Sequence, residues 1–144
     1  YVIRLAGNFA ISYPSSESPA VDIGEGSFGR RIQSHRKWAR KLEELVGDFS
    51  FEVCVATPRI KNRPTTYLDC EAVLLHRFGK KFNSAPLWNK QFERRRFPHH
   101  EYSMVKVDYA ICKRSGSKYL WALKPMKSSP FYEGYKKTHS VIQG

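Results

Sequence analysis

The chain has no long apolar run: nothing in it approaches the roughly 20 residues that a membrane span requires, and no basic-then-apolar leader opens it. A soluble domain without membrane contact is therefore expected, and the start at Tyr1 without a methionine reads as a piece of a longer protein. Cysteine is scarce too. Cys54, Cys70 and Cys112 are odd in number, widely spaced and form neither a CxxC pair nor a zinc-finger pattern, which argues against a disulfide scaffold or a cysteine zinc site. Free buried thiols in a reducing intracellular compartment are the simpler expectation. His99 and His100 have no matching cysteine pair and are not expected to hold a metal. The second half also lacks acid. Residues 73–144 carry 15 Lys+Arg against 4 Asp+Glu, whereas residues 1–72 carry 10 against 9, so nearly all of the net +12 is C-terminal. A positive field of this kind attracts polyanions, nucleic acid above all.

What is present suits one αβ domain. The 144 residues suffice for a packed core, and no internal repeat divides them. Tyr1–Ala6 is apolar and β-branched enough for a buried strand, and Ala10–Ser12 extends that strand after Gly7. Ala20–Ile23 reads as its antiparallel partner across a long hairpin, ending at Gly24 and Gly26. Ser27 is placed to cap a helix from Phe28 to Val46, on which Arg31 and His35 lie four residues apart and hence on one face. Alternation through Phe49, Phe51, Val53 and Val55 predicts a half-buried strand. A basic loop with Arg59, Lys61 and Arg63 leads to a helix from Thr65 or Thr66 to about Phe78, closed by Gly79. Beyond Lys90, the residues 102–113 and 118–124 read as a β-hairpin around Ser115-Gly116-Ser117.

The order of these pieces resembles the GIY-YIG nuclease domain. The matching segments are Tyr1-Val2-Ile3, then Asp22-Ile23-Gly24-Glu25-Gly26, Arg31-Ile32-Gln33-Ser34-His35, Glu71 before Leu74-Leu75, and Pro86-Leu87-Trp88-Asn89. The resemblance implies an α+β core over residues 1–89, a small three-stranded and mostly antiparallel sheet flanked by helices. The basic β-hairpin extension over residues 90–144 would pack on it. It also implies a DNA endonuclease that uses magnesium or manganese. Glu71 would be the metal ligand, Arg31 the grip on the scissile phosphate, Tyr1 the group that activates water, and His35 a proton relay. Asp22 stands where the family pattern has a second tyrosine, so it is an added metal ligand, a proton acceptor, or merely the end of a strand. Asn89 would fix the local geometry through its amide, and Tyr13 is a rival for the role given to Tyr1.

Phosphodiester hydrolysis needs positive charge, a proton acceptor and orientation at one phosphorus, and these residues supply all three. Magnesium retains several waters, so a single carboxylate suffices for it. In the extension, Arg94, Arg95, Arg96, Lys113, Arg114 and Lys118 are interleaved with aromatic residues, a pattern suited to neutralising a nucleic-acid backbone. Two other classes of function fit the same residues: a binding module that keeps the fold without catalysis, or a nuclease toxin whose basic tail meets an acidic inhibitor. One active site per chain would require a homodimer or successive nicking to cut both strands of a duplex.

Overall fold

The computed structural model describes residues 1–7, 9–46, 50–113, 121–123, 128 and 132–133. Strand β1 (Val2–Leu5) is buried along its whole length and runs between β4 (Ala20–Ile23) and β5 (Phe51–Cys54), antiparallel to both. This is the expected three-stranded antiparallel sheet. The β1–β4 register pairs Val2 with Ile23 and Ile3 with Asp22, then slips between Ile3 and Arg4. Ala10–Ser12 belongs to a separate strand, β2 (Phe9–Ser12), which joins β3 (Glu17–Ser18) and β6 (Trp121–Leu123) in a second three-stranded sheet. Strand β6 lies parallel to β2, with Phe9 opposite Trp121.

Helix α1 (Phe28–Val46) follows β4, and helix α2 (Thr66–Phe82) follows β5. The second helix carries the core. Leu75 and Phe78 are fully enclosed and share one core cluster with Val2, Val21 and Ile23 of the first sheet. It runs four residues past its expected end because Gly79 serves packing rather than termination: a Cβ there would lie 2.8 Å from the ring of Phe92. The true stop is Asn83, in the left-handed conformation at φ 54°.

The expected hairpin in the extension is not formed by residues 102–113, which instead contain helix α3 (Met104–Ile111). Val105, Val107, Tyr109 and Ile111 alternate as a strand would, yet only Val107 and Ile111, one helical turn apart, are buried; Val105 is 81% exposed and Tyr109 59%. Tertiary partners select the helix. Arg77 of α2 grips Asp108 through two 2.8 Å bonds, and Lys81 approaches the same carboxylate at 3.1 Å. Buried Arg4 of β1 donates to the carbonyls of Tyr109 and Cys112, placing a cation at the C-terminal end of α3 where the helix dipole favours one. Of the second half of the proposed hairpin, residues 121–123 form β6, which pairs with β2, and the turn at 115–117, residues 118–120 and residue 124 lie outside the described residues. Among the described residues no helix is long and apolar enough to cross a membrane.

Candidate active site

Strand β4 and the first turns of α1 build one side of a cleft. Backbone pairing extends one step past the β1–β4 ladder: the Gly24 amide donates to the Tyr1 carbonyl at 3.0 Å, and the Tyr1 nitrogen donates to the Gly24 carbonyl at 2.7 Å. This holds the Tyr1 ring against Gly24. A Cβ on Gly24 would lie 2.5 Å from the Tyr1 hydroxyl, so a glycine is required for the phenol to sit there. Phe28 meets the ring edge-on at 5.1 Å, and the Arg31 guanidinium donates to the hydroxyl at 3.4 Å. One turn further along α1, the His35 ring stands 6.5 Å from that of Tyr1, and its Nε2 lies 3.4 Å from the Asp22 carboxylate.

Tyr13, the alternative to Tyr1, has a structural task. Its hydroxyl donates to the Ala20 carbonyl at 2.7 Å and accepts from the Leu87 amide at 3.1 Å, and burial pushes its ionisation well above the usual phenol value. Asn89 is likewise a positioning residue. Its amide bonds both backbone groups of Ile23, accepting at 2.9 Å and donating at 2.7 Å, while the Trp88 amide donates to Val21 at 3.1 Å. The segment 86–89 thus completes the outer edge of β4 and fixes the strand that presents Asp22.

Glu71 approaches the same cleft from α2. It lines a cavity of about 520 Å³ together with Asp22, Arg31, His35, Trp88 and Asn89. Asp22, Arg31, His35 and Glu71 therefore line one hollow, while Tyr1 is not among its lining residues and adjoins it through its contacts with Arg31 and His35. Burial, with Glu25 and Glu93 nearby, pushes the Glu71 carboxyl up to about 7, and Arg31 offsets only part of this. Burial also raises Asp22, against the pull of His35 and Arg31, and raises the Tyr1 phenol despite the Arg31 hydrogen bond. Charging these groups together is unfavourable, and a bound cation relieves that strain. Among the described residues no three or more His, Cys, Asp or Glu side chains are grouped to hold an ion. Glu71 offers one carboxylate to the hollow, a donor that fits a hydrated hard cation keeping most of its own waters.

The three arginines of the extension divide. Arg95 turns inward to the fully buried Asp69 of α2, donating to its carboxylate at 3.1 Å. The Phe97 amide and the Tyr102 hydroxyl donate to the same carboxylate at 2.8 and 3.0 Å, and the Arg96 amide joins them. Burial raises the Asp69 carboxyl, but these donors outweigh it and hold the group below the ordinary carboxylate value. Arg94 and Arg96 remain exposed, as does Lys113. Arg95 was expected on the nucleic-acid surface with its neighbours and is instead the bolt that fastens the extension to α2. Arg114 and Lys118 lie outside the described residues.

Sequence reasoning passed over Asp69, although a signal was present. It shares a helical face with Thr66 and Val73, both buried, and an acid on an apolar stripe needs a partner. The chain matches no protein family, no curated protein and no solved structure in comparisons with all three.

Proposed function

We propose that this chain is a divalent-metal-dependent endonuclease that hydrolyses phosphodiester bonds in DNA at the cleft between α1 and α2. One observation carries the reading: Arg31 and Glu71, from different helices, line a single cavity, with the Tyr1 hydroxyl on Arg31 at 3.4 Å. The order of motifs that resembles GIY-YIG nucleases is consistent with it.

Arg31 binds the non-bridging oxygens of the scissile phosphate, where its fork of donors matches the anion. Glu71 holds magnesium or manganese, and that ion, when bound, supplies positive charge to the phosphoryl group and the leaving oxygen. Tyr1 orients the attacking water by hydrogen bonding. It is a poor base, since burial makes its phenol harder to ionise. His35 is the better-placed proton acceptor, because the Asp22 carboxylate lies 3.4 Å from its Nε2 to stabilise the positive charge it would gain. Asp22 thus fits the role of second proton-handling group more closely than that of a strand terminator.

The half-buried Tyr1 phenol, harder to ionise than a free one, also favours a second reading, a nucleic-acid-binding module with impaired catalysis. Nicking of supercoiled plasmid with magnesium, with manganese and with chelator separates the two. The nuclease reading requires metal-dependent nicking that Arg31→Ala reduces more than it reduces DNA affinity, since charge builds up in the transition state. Intact plasmid in every condition, with binding retained, supports the module.

A further inference from the structure

The cleft continues past Glu71. A second hollow, of about 480 Å³, shares Glu71 and Glu93 with the first and is otherwise lined by Thr65, Leu68, Phe97 and all three of Arg94, Arg95 and Arg96, the middle one already engaged by Asp69. Arg31 and His35 belong to the first hollow alone, Arg94 and Arg96 to the second alone. Glu71 and Glu93 thus border both hollows, with Arg31, His35 and Lys90 beside Asp22 on one side and the arginines of 94–96 on the other. For a single anion that arrangement is self-defeating, because the acids repel what the arginines attract. It suits two anions with a cation between them.

The second station is built on fixed backbone. Arg95 is bolted inward to Asp69, so in the chain of residues 94–96 its two neighbours are left exposed while it is not. Phe97 carries the guanidinium of Arg63 over its ring at 5.3 Å, which brings the basic loop before α2 to the same hollow. That loop is itself braced: Thr66 donates to the Arg63 carbonyl and accepts from the Ile60 amide at 3.2 Å, around a left-handed Asn62.

We infer that the second hollow is a subsite for the phosphate adjacent to the scissile one on the same nucleic-acid strand, with Arg94 and Arg96 taking its oxygens and the Arg63–Phe97 pair facing the attached nucleoside. The inference rests on the nuclease reading and deepens it. The substrate class is then a strand that continues beyond the scissile bond on the Arg94 side, and a bond at a strand end on that side is a poor substrate.

The test compares R94E/R96E with K80E/K106E, a pair of exposed lysines elsewhere whose reversal changes the net charge equally. Binding of the full chain to a fluorescein-labelled 20-base-pair DNA duplex is followed by anisotropy with calcium, and plasmid nicking with magnesium. R94E/R96E should weaken binding about tenfold or more and lower the salt slope by about one, the value of one phosphate, while K80E/K106E changes affinity less than about threefold. The half-saturating plasmid concentration should rise in parallel. Equal losses of affinity in both variants would reduce the effect to net charge and overturn the subsite. So would a fall in saturated rate at unchanged affinity. If the wild type nicks plasmid and R94E/R96E binds as wild type does, the subsite fails and the nuclease stands. If the wild type nicks nothing while R94E/R96E alone loses binding, the nuclease reading fails and the strand contact stands.

Discussion

Helices α1 and α2 face one cleft but are held in different ways. Eight residues of α2 are buried, and its polar face is bolted to the extension through Asp69 and to α3 through Arg77 and Lys81. Among the described side chains of α1 none is buried; Ile32, His35 and Ala39 reach only partial burial. The acid of the site thus comes from a helix that the core positions. The cations come from the first turns of α1, which are tied to the site by contacts among Tyr1, Phe28 and Arg31. Damage at the buried positions of α2 should therefore affect fold and site together, and damage to the Tyr1–Arg31 contact should affect the site first.

The largest effect separates charge from packing on α2. Glu71→Gln should lower metal-dependent nicking at least about 100-fold, with DNA affinity changed less than about threefold, because the shape is kept and the cation's ligand is lost. In metal-free buffer the same variant should unfold at a slightly higher temperature, since a carboxyl raised to about 7 costs the fold something when ionised. A variant that cuts as wild type does would remove Glu71 from the site.

Next in size is the bolt. Asp69→Asn can keep an oxygen for Arg95 and the Arg96 and Phe97 amides but removes the charge they share and turns an NH2 on the Tyr102 hydroxyl, so the fold should lose about 3 kcal/mol in denaturant titrations. The contribution has a pH sign. Since the Asp69 carboxyl is held below its ordinary value, the stability it adds is present above that value and is lost as pH falls through the native-state value. A variant as stable as wild type would mean that the extension is fastened by other contacts.

On the α1 side, Gly24→Ala tests whether site and fold are separable. Its methyl would lie 2.5 Å from the Tyr1 hydroxyl and must move the phenol away from Arg31. Nicking should fall roughly tenfold while the melting temperature shifts by no more than about 4 °C, on the order of 1 kcal/mol. Loss of the fold instead would show that β4 and α1 are as interlocked as α2 is. The smallest expected effect is the pH dependence of cation binding. With the Glu71 carboxyl near 7, manganese affinity measured by calorimetry should rise about tenfold between pH 6 and pH 8. A flat profile would place the ion elsewhere.

Most of the frame was legible in the sequence because it is local. Glycines at 24 and 26, the Arg31–His35 spacing and the alternation through Phe51 and Val53 describe β4, α1 and β5 with little outside help. The misses are long-range. Nothing near Trp121 indicates that it will pair with Phe9, more than 100 residues away, in a parallel ladder. The residues from Val105 to Ile111 satisfy both a strand and a helix period, and the choice is made by Arg4, Arg77 and Lys81. The arginine run at 94–96 looked uniform because sequence alone does not reveal that a buried acid waits for the middle one. Of Tyr1, Arg31, His35 and Glu71, singled out together from the sequence, the last three line one hollow and Tyr1 only adjoins it through Arg31 and His35; the second hollow had no sequence counterpart.

The seating of Asn89 on Ile23 has a consequence for life at high concentration. A sheet margin with unused amides and carbonyls is a template on which a second molecule can dock strand to strand. By occupying that margin of β4 with a side-chain amide and the Trp88 backbone, the chain denies neighbours a place to add on. Shortening Asn89 would reopen it, and aggregation would then become the fate of an otherwise well-folded molecule.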